Sequence, residues 1–378
     1  GEVKIILDDI FKTIKLISNY LPKKKLLTIY TKNLKNNNFI QSDIKIQNNI
    51  PPYNQSSMDG IAITNTSKKF KIVGRSKLNN FNNIKVNKDE CLIVKTGSLI
   101  PNNIKYIIPQ EQIFINKNYA FVINFNKKNK FIRKKGHIFK KGEKINLQNK
   151  YLSFKELSSL KSLKETKIKI LKPLKFKIIS TGSEFTKKHF IFPTNGFYLN
   201  NFVLINNQIV EKNIHLRDDQ KLLQKEINNS KSDITVIIGG TGKSKDDIDF
   251  NNFNLIVDGL DLKPGRPFKL FIKQNRIYLF FPGNPCSSFV LTNIIIKSLI
   301  EIYNFNKSTF NHEIIDIKKI KFNFKNYKRK SFLFGFRDNK NIKIFNNQES
   351  SNLKNILKAN CLIYYDRTTK LRLYQVND

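Results

Sequence analysis

Three apolar runs limit what this chain can fold into more than anything else in it: FKIISTG at 176–182, DITVIIGGTG at 233–242 and RIYLFFPGNP at 276–285. Each reads as a buried strand running straight into a Gly or Pro loop, and helical stretches at 218–227 and 287–303 follow. Strand, glycine loop, helix, repeated, predicts an α/β sheet with parallel strands. Loops leaving the carboxyl ends of such strands share one edge, where ligands bind. Thr181-Gly182-Ser183-Glu184, Gly239-Gly240-Thr241-Gly242 and Pro282-Gly283-Asn284-Pro285 are therefore expected to meet there. Glycine lets backbone N–H groups approach an anion, and a following helix N-terminus adds a positive dipole, which suits a phosphate. One such loop fits a plain turn equally well; three in succession favour a ligand site.

The same loops carry carboxylates: Glu184 in the first, then Asp246, Asp247 and Asp249 after the second. Beside a phosphate they call for an intervening cation, naturally Mg²⁺, although a solvated acidic loop has the same sequence. Lys263-Pro264-Gly265-Arg266-Pro267 sets two cations on a turn stiffened by two prolines, which fits oxyanion recognition. In so lysine-rich a chain Arg266 is the more telling of the two. PPYNQSSMDG at 51–60 is a polar loop leading into a strand. His137, His189, His215 and His312 are scattered without a motif, so structural or exposed roles are expected for each.

Residues 3–35 read as helices from the recurrence of Ile5, Ile6, Ile10, Ile14 and Ile17. Pro51-Pro52 stops any helix, and short strands follow between about 60 and 140, including 62–63, 70–73, 91–94 and 119–123. Residues 151–165 read as helical again, and the tail from 313 alternates at period two in IKKIKFNFKN, SFLFGFRD, NIKIF and KLRLYQV. The expected domains are 1–45 with 140–172 (helical and linking), 46–139 (inserted, β-rich), 173–312 (α/β) and 313–378 (small, β).

Length and composition agree with a folded multidomain protein: 378 residues, 40% hydrophobic, with 31 Phe and no Trp. The net charge of +39 is almost all Lys, interleaved with Asn and Ile throughout. All three have AT-rich codons, so the charge reads as compositional drift, and no nucleic-acid partner is expected. Cys91, Cys286 and Cys361 are far apart, which indicates neither a zinc knuckle nor a disulfide framework and fits a reducing cytoplasm. No run approaches the ~18 apolar residues of a membrane helix, and Asp8-Asp9 interrupt the first apolar stretch, so no membrane or secretory segment is expected. The chain begins Gly1-Glu2 and its only methionine is Met58, so a few residues are expected to precede Gly1.

Together these stretches resemble the molybdopterin molybdenumtransferase family, the MoeA-type enzymes and the gephyrin E domain. The resemblance is carried in order by PPYNQSSMDGIAI (51–63), VKTGSLIPNN (94–103), GHIFKKGEKI (136–145), STGSEF (180–185), PTNGFYL (193–199), DITVIIGGTGKSKDD (233–247), LKPGRPF (262–268) and FPGNPCSSFV (281–290). It implies an elongated multidomain protein of class α/β plus β. Its parts would be a central parallel α/β molybdopterin-binding domain, an inserted β-rich domain carrying MDG and a C-terminal β domain. It also implies a homodimer whose active site draws on the MDG domain of one copy and the glycine loops of the other. The implied reaction is Mg²⁺-dependent insertion of molybdate into adenylylated molybdopterin with release of AMP, and the molybdopterin adenylyltransferase is an implied partner.

Position by position, the resemblance gives Asp59, Thr96, Glu184, Asp218, Asp247, Pro282 and Pro285 catalytic roles, with Glu184 and Asp247 as metal ligands. Substrate binding falls to Thr181, Gly182, Asn195, Gly239, Gly240, Lys263, Arg266, Ser287, Arg329 and Ser350. Three places depart from the pattern: Lys144 replaces the acid of GED, Ser183 the Asp of STGDE, and GGTGKS stands for GGVSVG. The other functions weighed are a molybdopterin adenylyltransferase, which would lack the MDG domain and β tail, a scaffold that has lost catalysis, and charge-driven nucleic-acid binding.

Overall fold

A computed structural model describes residues 8–76, 85–128, 130–182, 193–217, 219–239, 252–307, 312–339 and 341–376. The chain divides into two compact units, one of residues 28–36 and 40–170, the other of 1–27, 37–39 and 171–378.

The first unit is built on a six-stranded sheet in the order Tyr106–Pro109, Gly60–Ile63, Glu90–Val94, Lys69–Arg75, Tyr119–Val122, Ile113–Asn116. Gly60–Ile63 is an interior strand buried along its whole length, because apolar clusters cover both faces of the sheet: Ala62, Leu92 and Ile107 on one, Ile61, Phe70 and Ile108 on the other. Helix α2 in this unit (Phe154–Lys161) is shorter than the helical reading of 151–165; it starts at a capping box in which Ser153 and Glu156 satisfy each other's backbone N–H. Among the described residues of 3–35 the helical reading holds for α1 (Ile10–Ser18) and a 3₁₀ turn at Thr31–Asn33, whereas Leu26–Tyr30 is a strand beside Lys167–Leu171. Pro22 ends the helical stretch, and LLTIY is rich in residues that favour a pleated surface.

The second unit holds the expected α/β sheet, in the order Ile209–Leu216, Lys175–Thr181, Ile234–Ile238, Arg276–Phe281, Lys269–Lys273, Asn254–Asp258. The first four strands are parallel, and the last two are joined by antiparallel pairings, so that Lys269–Lys273 alone runs against the others. The antiparallel edge departs from the all-parallel reading because Gln274 and Asn275, both at positive φ (49° and 58°), close a two-residue hairpin between Lys273 and Arg276. Helices α3 (Thr194–Ile205) and α4 (Gln220–Asn228) cross between the first strands. One continuous helix then follows the fourth parallel strand: α5 (Pro285–Leu291), a π-helical turn (Thr292–Ile296) and α6 (Lys297–Phe305).

That 21-residue helix is long and apolar enough to span a bilayer by length and composition, contrary to the reading that no such run exists. It packs inside this unit, with 83% of its most apolar window buried. The tail forms an antiparallel five-stranded sheet, His312–Asp316, Lys370–Gln375, Cys361–Tyr365, Ser331–Asp338, Asn341–Ile344, with α7 (Leu353–Lys358) immediately before Cys361–Tyr365 in the chain. Within IKKIKFNFKN the alternation does not produce a strand: Asp316 and Asn323 accept hydrogen bonds from Lys318 and Lys325 N–H and turn the backbone into 3₁₀ turns.

Candidate functional site

The parallel order puts Ile209–Leu216 on one side of Lys175–Thr181 and Ile234–Ile238 on the other, so the chain reverses its winding between those two inner strands. The crevice outside the carboxyl ends at such a reversal is where open α/β sheets take ligands. Thr181 and Gly239 are the residues that emerge there. Gly239 has φ +91°, and a Cβ on it would lie 2.6 Å from the Thr181 carbonyl oxygen. Its N–H donates to the Phe281 carbonyl at 3.0 Å, which joins the third loop to the second. A Cβ on Gly283 would in turn lie 3.3 Å from the Gly239 Cα. Thr181, Gly239 and the Pro282–Pro285 loop are therefore one contact cluster, with backbone packed against backbone.

Two side-chain amides fasten further segments to it. Asn195, in the first turn of α3, donates from Nδ2 to the Gly283 carbonyl at 2.7 Å. The next residue, Gly196, packs directly against Ser180, whose Oγ would overlap any Cβ there. Asn284 sits at the N-cap of the long helix, yet its Nδ2 donates to Ser350 Oγ at 2.7 Å, while the Ser350 carbonyl accepts from Cys286 N–H at 3.1 Å. The helix that starts at Pro285 thus points its positive end into the cluster. Ser287, in its first turn, is 4% exposed.

The KPGRP turn lies at the C-terminal sheet. Lys263 donates its N–H to the Lys330 carbonyl and accepts from Phe332 N–H, bracketing Ser331, whose Oγ donates to the Arg329 carbonyl at 3.0 Å. The Lys263-Pro264 peptide is cis, and Gly265 packs against Leu291 of α5, so this turn is tied to the helix that leaves the third loop. Lys263, Arg266 and Arg329 are all exposed.

In the other unit the structure pairs Asp59 with Thr96. Asp59 Oδ1 accepts from the Thr96 N–H at 2.6 Å and from its Oγ1 at 2.8 Å. Those two bonds, the backbone one first, hold the carboxyl below its ordinary pKa of 3.8. Gly60 makes the arrangement possible, because a Cβ there would overlap the Ile108 carbonyl oxygen. Lys144 lies in the strand Lys144–Ile145, directly opposite Lys45, and is exposed.

Glu184, Asp218, Gly240 and Asp247 lie outside the described residues, and with them the expected metal ligands. Among the described residues no group of three His, Cys, Asp or Glu side chains is placed to hold a metal. The cysteines are buried thiols, not nucleophiles: burial pushes Cys286 up to about 11 and Cys91 and Cys361 to about 12.

Two contributors escaped the sequence reading. His215, opposite Ser180 in the parallel register, places Nε2 3.0 Å from the Gly182 carbonyl and so braces the first loop. Asn284 was read as part of a loop motif, and its Ser350 partner lies 66 residues away. A lone histidine near a strand end was the only signal for the first, and none existed for the second.

A doubly wound α/β unit with the ends of three parallel strands clustered at its winding reversal, joined to a β tail, has the crevice at which proteins of this class take ligands. Residues 5–163 match the family model of the MoeA N-terminal region, domains I and II. The molybdopterin molybdenumtransferase of Haemophilus influenzae is 26% identical over 282 residues, 70% of each chain, and that of Synechocystis sp. is 25% identical over 287 residues, 70% of this chain and 73% of the relative. The molybdopterin biosynthesis MoeA protein of Pyrococcus horikoshii has the same fold, with a TM-score of 0.71 at 17% identity over 99% of this chain and 100% of its own. Residues 5–163 thus match the MoeA N-terminal region, and the chain resembles molybdopterin molybdenumtransferases over 70% of its length and shares the fold of a MoeA protein.

Proposed function

We propose that this protein is a molybdopterin molybdotransferase of molybdenum cofactor biosynthesis, and that it inserts molybdate into adenylylated molybdopterin with release of AMP. The observation that carries this reading is the contact of Thr181, Gly239 and Gly283 at the winding reversal, with Asn195 and Ser350 bonded onto the third loop. Backbone packed that closely, at the positive end of a long helix, suits the phosphate of an adenylylated substrate. The names of the curated relatives, molybdopterin molybdenumtransferase, support transfer of molybdenum to molybdopterin.

In this reading Lys263, Arg266 and Arg329 attract molybdate. The carboxylates that follow the first two loops in sequence, Glu184 and Asp247, make the reaction Mg²⁺-dependent. Asp59, kept ionised by Thr96, contributes a fixed negative charge. The active form is a cytoplasmic homodimer supplied by the adenylyltransferase that makes its substrate.

The test is AMP release from adenylylated molybdopterin, with and without molybdate and Mg²⁺. Release that requires both is expected, and release indifferent to molybdate refutes the transferase reading. Mixing Asp59→Ala with Asp247→Ala protein should restore part of the activity. If subunit exchange is demonstrated and none returns, a shared site is ruled out.

A further inference from the structure

Asp8 and Asp9, which in the sequence only interrupt the first apolar stretch, join three segments of the second unit. Asp8 pairs with Leu260: its N–H donates to the Gly259 carbonyl at 3.2 Å, and its own carbonyl accepts from Asp261 N–H at 2.9 Å. Asp9 is the N-cap of α1, where its Oδ1 accepts from Phe11 N–H at 3.0 Å and Lys12 N–H at 3.3 Å. Its other oxygen, Oδ2, accepts from Lys330 Nζ at 2.6 Å. Both partners lie next to the basic turn. Leu260 N–H donates to the Arg266 carbonyl at 3.0 Å, and the Lys330 carbonyl receives the Lys263 N–H at 2.9 Å. Two successive residues thus bond to both segments that carry the exposed cations Lys263, Arg266 and Arg329. The side chains of the ion pair are only 22% and 23% exposed, so salt screens it less than a surface pair. Burial works to raise the Asp9 carboxyl, but the bonds from Lys330, Lys12 and Phe11 outweigh it and hold the pKa below its ordinary 3.8.

We propose that Asp9 is a positioning residue for the oxyanion: by holding Lys330 it fixes Arg329 against the turn that carries Lys263 and Arg266. The inference rests on the transferase reading above, which makes those three cations the groups that attract molybdate. They come from two segments, and recognition of a small anion depends on donors held to within about half an ångström. Asp9 is tied to α1 through one carboxylate oxygen and to Lys330 through the other, so α1 is the fixed point for the Arg329 segment. The sign of the effect separates positioning from charge. Asp9 is an anion close to a cationic site, so on charge alone its removal strengthens anion binding. Positioning predicts that removal weakens it. Asn caps a helix as well as Asp does, so Asp9→Asn keeps the start of α1. Its Nδ2 then faces Lys330 Nζ with donor against donor, and the bond is lost.

Asp9→Asn, Lys330→Met, the double variant and Glu313→Gln are compared with the unaltered chain. Glu313 pairs with Arg337, roughly 20 Å along the strand that begins at Ser331, so its loss loosens the same sheet away from the turn. The molybdate concentration for half-maximal AMP release is expected to rise about threefold to tenfold in Asp9→Asn and Lys330→Met alike, with the maximal rate within about twofold. The double variant should be no worse than either, because the two residues act as one pair. Glu313→Gln should match the unaltered chain. Calorimetry with molybdate alone should read the same rise as a weaker dissociation constant. A merely structural Asp9 lowers the unfolding temperature of Asp9→Asn and leaves the molybdate dependence unmoved, which overturns the proposal. Tighter molybdate in Asp9→Asn also overturns it, since charge is then all that Asp9 contributes, and so does a double variant whose losses multiply. In each of these cases the transferase reading stands. Absence of molybdate-dependent AMP release in the unaltered chain overturns the transferase reading instead, and calorimetry then decides the positioning role by itself. A chain that binds no molybdate in either measurement overturns both. Should Asp9→Asn fail to fold, Asp9→Ser, which also caps, replaces it; if neither folds, unchanged molybdate dependence in Lys330→Met overturns the proposal and a rise at constant maximal rate supports it.

Discussion

The two units hold their polar groups in opposite ways. In the β-rich unit one carboxylate, Asp59, is held by a single residue, Thr96, through one N–H and one O–H. In the α/β unit the cluster is made of carbonyls, amides and hydroxyls packed so closely that a Cβ on Gly283 would lie 3.3 Å from the Gly239 Cα. A carboxylate held by donors can be tuned, since each donor removed leaves the charged form a little less favoured. A cradle of backbone contacts has no such gradation: a side chain added at Gly239 meets a carbonyl that belongs to a strand, and the strand cannot move without its neighbours. The α/β edge is therefore expected to fail through shape and the Asp59 pair through charge.

The largest expected effect sharpens that contrast at two glycines with nearly equal φ. Gly239 (φ +91°) has the Thr181 carbonyl oxygen 2.6 Å from a Cβ position, whereas Gly142 (φ +90°), in the β-rich unit, has nothing within 4 Å. Gly142→Ala should cost only the ~1–2 kcal/mol of left-handed backbone. Gly239→Ala adds the overlap, for a total of about 3–4 kcal/mol, and abolishes AMP release. Thermal unfolding checks both, and equal losses at the two positions break the comparison.

Thr96→Val gives the intermediate effect. It removes the hydroxyl bond to Asp59 and leaves the backbone bond, so the Asp59 pKa should rise partway toward its ordinary 3.8. A carboxyl with a lowered folded pKa adds stability above its unfolded value, and that stability is lost as pH falls through the folded value. The variant should therefore be the less stable protein at neutral pH and match the unaltered chain in strong acid. The acid limb of its activity profile should move to higher pH. Titration of Asp59 by carbon NMR measures the shift directly, and an unmoved titration means the hydroxyl does not support the charge.

The α/β strands were legible because burial on both faces makes each a continuous apolar run, as in ITVII at 234–238, every residue of which is buried. The meeting of the three loops followed from topology once the strands were placed. Partners across long separations were not legible. Asp59 and Thr96 stood out individually, but their bond spans 37 residues, and nothing in either motif states it. The attachment of Lys263 to the backbone at Lys330 and Phe332 is equally silent in the sequence, because strand pairing leaves no mark on the residues of a proline-stiffened turn. The tail misled for a local reason: alternation in IKKIKFNFKN satisfies the strand pattern, while Asp316 and Asn323 offer the backbone a closer acceptor.

The smallest effect is expected at Lys144, where the chain carries a base in place of the family's acid. Lys144 is exposed on a two-stranded ribbon and faces Lys45 across it, two like charges in direct register. Such a pair is mildly unfavourable, and Lys144→Asp converts it into an opposite pair, a gain of about 0.2–1 kcal/mol at most and smaller in salt. If that local exchange is all the residue does, AMP release plotted against molybdate concentration should overlay for the two proteins, while the unfolding temperature rises slightly at low ionic strength. A change in the molybdate concentration giving half-maximal rate would show that the lysine handles the anion, so that a solvent-facing charge in the β-rich unit acts on the chemistry after all. A gain in maximal rate would show that the natural residue restrains the enzyme. Either result would blur the division between a unit tuned by charge and a unit fixed by shape, and initial rates over a range of molybdate at two salt concentrations separate the three outcomes.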